Sequence, residues 1–91
     1  MIIIKLTNQQ FAYLRSNLPQ RYRSLLINQK VDKKKGMTLL YIDPASMDVI
    51  RDWVGSELQR VGFDRSYGLT DKGKILEQLV DLFYLKPEST N

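Results

Sequence analysis

The spacing of apolar positions changes several times along the chain, and each change marks an element boundary. Residues 2–6 (Ile2-Ile3-Ile4-Lys5-Leu6) are a short isoleucine-rich run that predicts a buried strand. Thr7 then starts a helix. With Gln10 it fits a capping box, in which each side chain satisfies an orphan backbone donor. Phe11, Leu14 and Leu18 come next at helical spacing as a narrow stripe. Pro19 limits that helix, because the residue before proline avoids helical angles.

Residues 20–31 fit two patterns. Tyr22, Leu25 and Leu26 fall at helical spacing, whereas Leu25-Leu26-Ile27 also reads as the centre of a strand. The adjoining residues 32–42 favour the strand. Asp32-Lys33-Lys34-Lys35-Gly36 is a polar loop ending in glycine, and Met37-Thr38-Leu39-Leu40-Tyr41-Ile42 is a β-prone run. Two apolar runs around a short glycine-bearing loop predict a hairpin.

Asp43-Pro44 is a helix start, with an N-cap acceptor before proline at the first helical position. Met47, Ile50, Val54, Leu58 and Val61 share one face of that helix, and Gly62 is its natural stop. Gly55 costs such a helix about 1 kcal/mol against alanine, which close approach by another element would explain. Residues 63–69 form a connector. Thr70 caps a last helix in which Ile75, Leu76, Leu79, Val80, Leu82 and Phe83 cover a broad arc, the mark of a well-buried element.

The predicted fold class is therefore α+β: a small three-stranded antiparallel sheet with three helices over one face, in the order β-α-β-β-α-α. A single domain spans 1–87, with a polar tail at 88–91.

Composition narrows the chemistry. The chain of 91 residues is 43% hydrophobic, enough for one modest core, and 26% charged, which argues against disorder. It has no cysteine, and a secreted domain this small usually needs disulfides, so a reducing, cytoplasmic setting is expected. Histidine is absent too, which removes histidine triads and the usual zinc sites. No run approaches the roughly 20 apolar residues of a membrane span, and Met1–Leu6 is too short for a signal peptide. Neither a cofactor nor a structural metal is expected.

The net charge of +4 is unevenly spread. Residues 1–42 carry eight Lys/Arg against Asp32 alone, whereas residues 43–91 carry six against nine Asp/Glu. Arg21, Arg23, Lys30, Lys33, Lys34 and Lys35 lie within fifteen residues, with Tyr22 among them. Cations neutralise phosphates and an aromatic can stack on a base, so this segment is a candidate nucleic-acid contact. The competing reading is a solvated hairpin whose lysines keep a sheet edge from pairing. The acidic pairs Asp48/Asp52 and Glu77/Asp81 have i, i+4 spacing and oxygen ligands that suit magnesium, but helix capping, the helix dipole and ordinary ion pairs account for them. Trp53 lies beside its helix's main stripe, so it is either a lid on the core edge or an interface anchor. Tyr13, Tyr67 and Tyr84 have the same two readings.

The segment from Gly62 to Asp81 (Gly62-Phe63-Asp64, Tyr67, Thr70, Gly73, Leu76-Glu77, Leu79, Asp81) resembles the closing part of small uncharacterised bacterial proteins with the pattern G-F-D-x-x-Y-x-x-T-x-x-G-x-x-L-E-x-L-x-D. It covers roughly a quarter of the chain and implies a bacterial source, with no assigned activity. Leu69-Thr70-Asp71-Lys72-Gly73 is also similar to the L-T-x-x-G that follows the wing in winged-helix transcription regulators. No wing hairpin precedes it here, and the 43–61 helix carries Asp48, Asp52 and Glu57 where a recognition helix would be basic, so it reads as a helix-start signal. The expectation is a non-enzymatic module that binds another protein, as an adaptor or toxin-neutralising partner. The alternative is a nucleic-acid binder using residues 21–35, and no membrane partner is expected.

Overall fold

The computed structural model describes residues 1–84 and 88–89. The three-stranded antiparallel sheet and its helices are present in the expected order. Strand β1 (Ile2–Thr7) leads into helix α1 (Asn8–Asn17), a 3₁₀ helix (Gln20–Leu26), strands β2 (Gln29–Asp32) and β3 (Met37–Ile42), and helices α2 (Pro44–Val61) and α3 (Asp71–Tyr84). From the expected polar tail, Glu88–Ser89 forms a two-residue strand, β4, so the sheet order is β2-β3-β1-β4 with every pairing antiparallel. The remainder of that tail lies outside the described residues.

Alternation along the strands gives the sheet two unlike faces. Ile4, Leu6, Leu40 and Ile42 point into the core, whereas Ile3, Met37, Leu39 and Tyr41 are half-buried on the opposite face. Helices cover the first face. Phe11, Leu14 and Leu18 descend from α1, Met47, Ile50 and Val54 from α2, and Leu76, Leu79 and Phe83 from α3, all into one cluster. Gln10 joins α1 to α3 by donating from Nε2 to Gln78 Oε1 at 2.9 Å.

Capping works as the sequence implies. The Thr7 hydroxyl accepts from Gln10 N while Gln10 Oε1 accepts from Thr7 N, closing the capping box. Asp43 caps α2 by accepting from Ser46 N at 2.6 Å, and this bond holds its carboxyl below the usual aspartate range.

Residues 20–27 depart from the expected strand centre at Leu25-Leu26-Ile27. Leu25 and Leu26 belong to the 3₁₀ helix, Ile27 comes just after it, and the strand proper is the polar Gln29–Asp32. Pro19 explains the outcome. It closes α1 but pre-sets a new turn, in which its carbonyl accepts from Tyr22 N at 2.8 Å. That turn buries Leu26 and leaves Ile27 in solvent. The hairpin itself forms, with Gly36 at a φ of 64° where a side chain would strain it.

Helix α2 rests mainly on α3 and makes little contact with the sheet. The two meet through the connector. Thr70 donates its hydroxyl to the Val61 carbonyl, its N–H to the Gly62 carbonyl, and accepts from Gly73 N. The Gly62 carbonyl occupies the place a Cβ on Gly73 would need.

Leu79 is fully buried where α3 meets the rest of the core. We expect Leu79→Ala to cost about 2–5 kcal/mol in chemical denaturation; a loss below roughly 1 kcal/mol would make α3 peripheral.

Candidate functional site

Folding sorts the basic residues into two places. Arg21 sits on the α2 side of the 3₁₀ helix, with its guanidinium 4.8 Å from the Tyr22 ring centre. Arg23 lies on the other side, where its Nε donates to the Leu18 carbonyl at 3.1 Å and it shares a depression with Phe11, Arg15, Leu26, Ile27 and Gln29. Lys30 is in β2, and Lys33, Lys34 and Lys35 form the hairpin tip. There Asp32 Oδ1 accepts from the backbone N–H groups of Lys34 and Lys35, so one carboxylate orders the turn. Arg23 and the lysines thus surround β2, and Arg21 is separate from them.

The second place is the outer face of α2. Its inward stripe is spent on the core, which turns Asp52, Ser56 and Gln59 to solvent and leaves Val49 half-buried at their side. Two grooves flank this ridge of short side chains. The groove beside the 3₁₀ helix is lined by Arg21, Tyr22, Val49, Asp52, Trp53 and Ser56. The groove beside the end of α3 is lined by Asp52, Gly55, Ser56, Gln59 and Tyr84. Trp53 is partly buried against the core and also lines the first groove. Tyr84 is 50% exposed, and Arg51 stands 4.9 Å over its ring while also pairing with Asp48. The sequence marks Tyr84 as an aromatic of either core edge or interface, but nothing in its own helix signals that α2 borders it.

Gly55 is the informative residue here. The sequence suggests close approach by another element of the chain, but a Cβ on Gly55 would meet no atom within 4 Å. The fold gains nothing from the missing side chain.

Tyr67 lies elsewhere, in the connector, at a φ of 62° and 87% exposed. A turn holds it there: Asp64 Oδ1 accepts from Ser66 N and Gly68 N, and Phe63 bridges Leu69. Much of the G-F-D-x-x-Y-x-x-T-x-x-G pattern is thereby accounted for by turn and clasp geometry. Gly62, Asp64, Thr70 and Gly73 each shape the connector between α2 and α3.

Little here gathers reactive groups. Among the described residues no three Asp/Glu side chains converge in a way that could hold a metal ion. Asp48 is taken up by Arg51, and Glu57 accepts a two-nitrogen fork from Arg60. Burial, then the charge of Glu57, raises the Tyr13 hydroxyl above its ordinary value, with Arg60 opposing. No helix among the described residues is long and apolar enough to cross a membrane.

No protein-family profile matches the chain, and neither a curated protein nor a solved structure does.

Open space at Gly55 has a direct consequence. Alanine there should keep the fold and regain helix propensity, raising unfolding free energy by about 0.5–1 kcal/mol. Chemical denaturation of Gly55→Ala checks this; destabilisation would show that the position is packed after all.

Proposed function

We propose that the protein is a small non-enzymatic protein-binding module, of the adaptor or toxin-neutralising type, that meets its partner through the outer face of α2. The observation that carries this reading is Gly55. It sits inside an 18-residue helix, at a cost to that helix, with nothing of its own chain above it. A glycine that the fold does not need is useful where a partner's backbone must come close. Aromatic side chains stand on both sides, Tyr22 and Trp53 in one groove and Tyr84 in the other. Tyrosine and tryptophan are favoured interface anchors, since they bring large area at small entropic cost.

Lack of cysteine suits the reducing cytoplasm, and the resemblance of residues 62–81 suits a bacterial source. The nucleic-acid alternative is less well supported. Arg21 stands apart from the other cations, and no exposed aromatic accompanies the lysines at the hairpin tip to stack on a base.

The test is affinity capture from a bacterial lysate with wild-type protein and Gly55→Arg. The arginine points into open space, so the variant should fold as well as wild type, which its thermal midpoint verifies. We expect a partner held by wild type to bind Gly55→Arg at least about tenfold more weakly. Equal capture by both proteins would rule out the α2 face. Capture of nucleic acid that is lost in Lys33→Glu/Lys34→Glu/Lys35→Glu would replace the reading with the alternative.

A further inference from the structure

The free edge of the sheet points to a second, independent contact. Among the described residues no strand pairs with the far side of β2. The register shows which backbone groups that leaves unused. Tyr41 N donates to the Asn28 carbonyl at 2.9 Å, so this pair is a hydrogen-bonded position of the β2–β3 ladder. Antiparallel ladders alternate. Lys30–Leu39 and Asp32–Met37 are then hydrogen-bonded pairs, and Gln29–Leu40 and Val31–Thr38 are not. The N–H and C=O of Gln29 and Val31 consequently face outward, spaced to receive one more antiparallel strand.

Side chains around this edge define what could add. Gln29 and Val31 lie opposite the core-facing Leu40 and Thr38, yet the helices do not reach them, and Val31 is 51% exposed. On that face Arg15 and Arg23 border the depression that includes Gln29. Towards the hairpin tip Lys30, Lys33, Lys34, Val31 and Leu39 line a second depression with Asp32. Asp32 is the acid at the edge, and its Oδ1 is occupied with Lys34 N and Lys35 N. Unused strand hydrogen bonds thus sit among five cations, Arg15, Arg23, Lys30, Lys33 and Lys34, with Lys35 next to them at the hairpin tip.

Lysines on an edge deter indiscriminate pairing, and here the deterrent has a sign. A second copy of this chain would bring its own cations against these and be repelled. Single-stranded nucleic acid would satisfy the charge but has no strand backbone to match Gln29 and Val31, and no exposed aromatic flanks them. We infer that the β2 edge accepts an extended acidic peptide segment of a partner protein as an additional antiparallel strand. Main-chain bonds to Gln29 and Val31 hold the segment, an apolar residue rests on Val31, and carboxylates on alternate positions meet Lys30 and the hairpin lysines.

The probe is an acetylated and amidated hexapeptide of alternating valine and glutamate, titrated into ¹⁵N-labelled full-length protein at neutral pH and low salt. The result expected is a set of amide shifts centred on β2, with slowed hydrogen exchange at Gln29 and Val31. The matching valine–lysine peptide should produce neither. Val31→Pro removes an outward N–H without touching the ladder to β3, and edge strands tolerate proline. It should weaken the acidic peptide by about tenfold, with the thermal midpoint showing that the fold survives. Lys33→Glu/Lys34→Glu/Lys35→Glu should weaken it independently of backbone changes. Trp53→Ala should leave it unaffected, which separates this edge from the α2 face. Any of four results overturns the inference: no protection at Gln29 and Val31 with millimolar peptide; equal binding of the lysine peptide; oligothymidylate bound more tightly than the acidic peptide in the same buffer; or concentration-dependent self-association through β2.

Discussion

Where α2 ends and α3 begins, the Gly62 carbonyl passes directly over the Cα of Gly73, at a separation that no side chain on residue 73 could tolerate. Much of the rest depends on this crossing. Helix α3 lies over β1 and supplies Leu76, Leu79 and Phe83 to the core, but α2 reaches that core chiefly by leaning on α3. The crossing, with the three hydrogen bonds of Thr70, sets the angle and depth at which it leans. Once that geometry is set, Met47, Ile50 and Val54 face inward, and the ridge of Asp52, Ser56 and Gln59 has to face water.

A chain of this length can cover one face of its sheet and not much more. One layer of helices consumes the inward residues of β1 and β3 and stops short of β2, leaving Val31 exposed on what would otherwise be the core side. The surfaces that remain differ in character. The α2 face is a ridge with an aromatic-bordered groove on each side, whereas the β2 edge is a run of unused backbone groups ringed by cations. The basic excess of the sequence's first half gathers at that edge. Arg21 is drawn off to stack on Tyr22, and the acids of α2 are largely tied up by capping and by Arg51 and Arg60.

Elements governed by local rules were legible in the sequence. Thr7 with Gln10, Asp43 with Pro44, and the glycine of the hairpin each act through neighbours a few residues away, and each does what its chemistry implies. Leu25-Leu26-Ile27 was not legible, because a short apolar run fits a 3₁₀ turn as well as a strand, and tertiary burial of Leu26 decides between them. The glycines make the same point more sharply. Gly55 and Gly73 look alike in sequence, each a weak spot in a helical pattern, yet one faces empty space and the other a backbone carbonyl. Nor could the pairing of Arg21 with Trp53 in one groove, or the outward turn of the Val31 backbone, be read beforehand. The first needs the packing of two distant segments, and the second depends on ladder parity, which a shift of one residue reverses.

Substituting Gly73 by alanine tests the role of the crossing most directly, because local and tertiary effects there have opposite signs. Helix propensity alone favours alanine by about 1 kcal/mol. If the crossing governs how α2 sits on α3, the added methyl must displace the Gly62 carbonyl, and overpacking of this kind costs about 1–3 kcal/mol. Equilibrium urea denaturation of Gly73→Ala beside wild type should therefore show a net loss of stability. A gain, of the size propensity alone supplies, would contradict the central place given to the crossing.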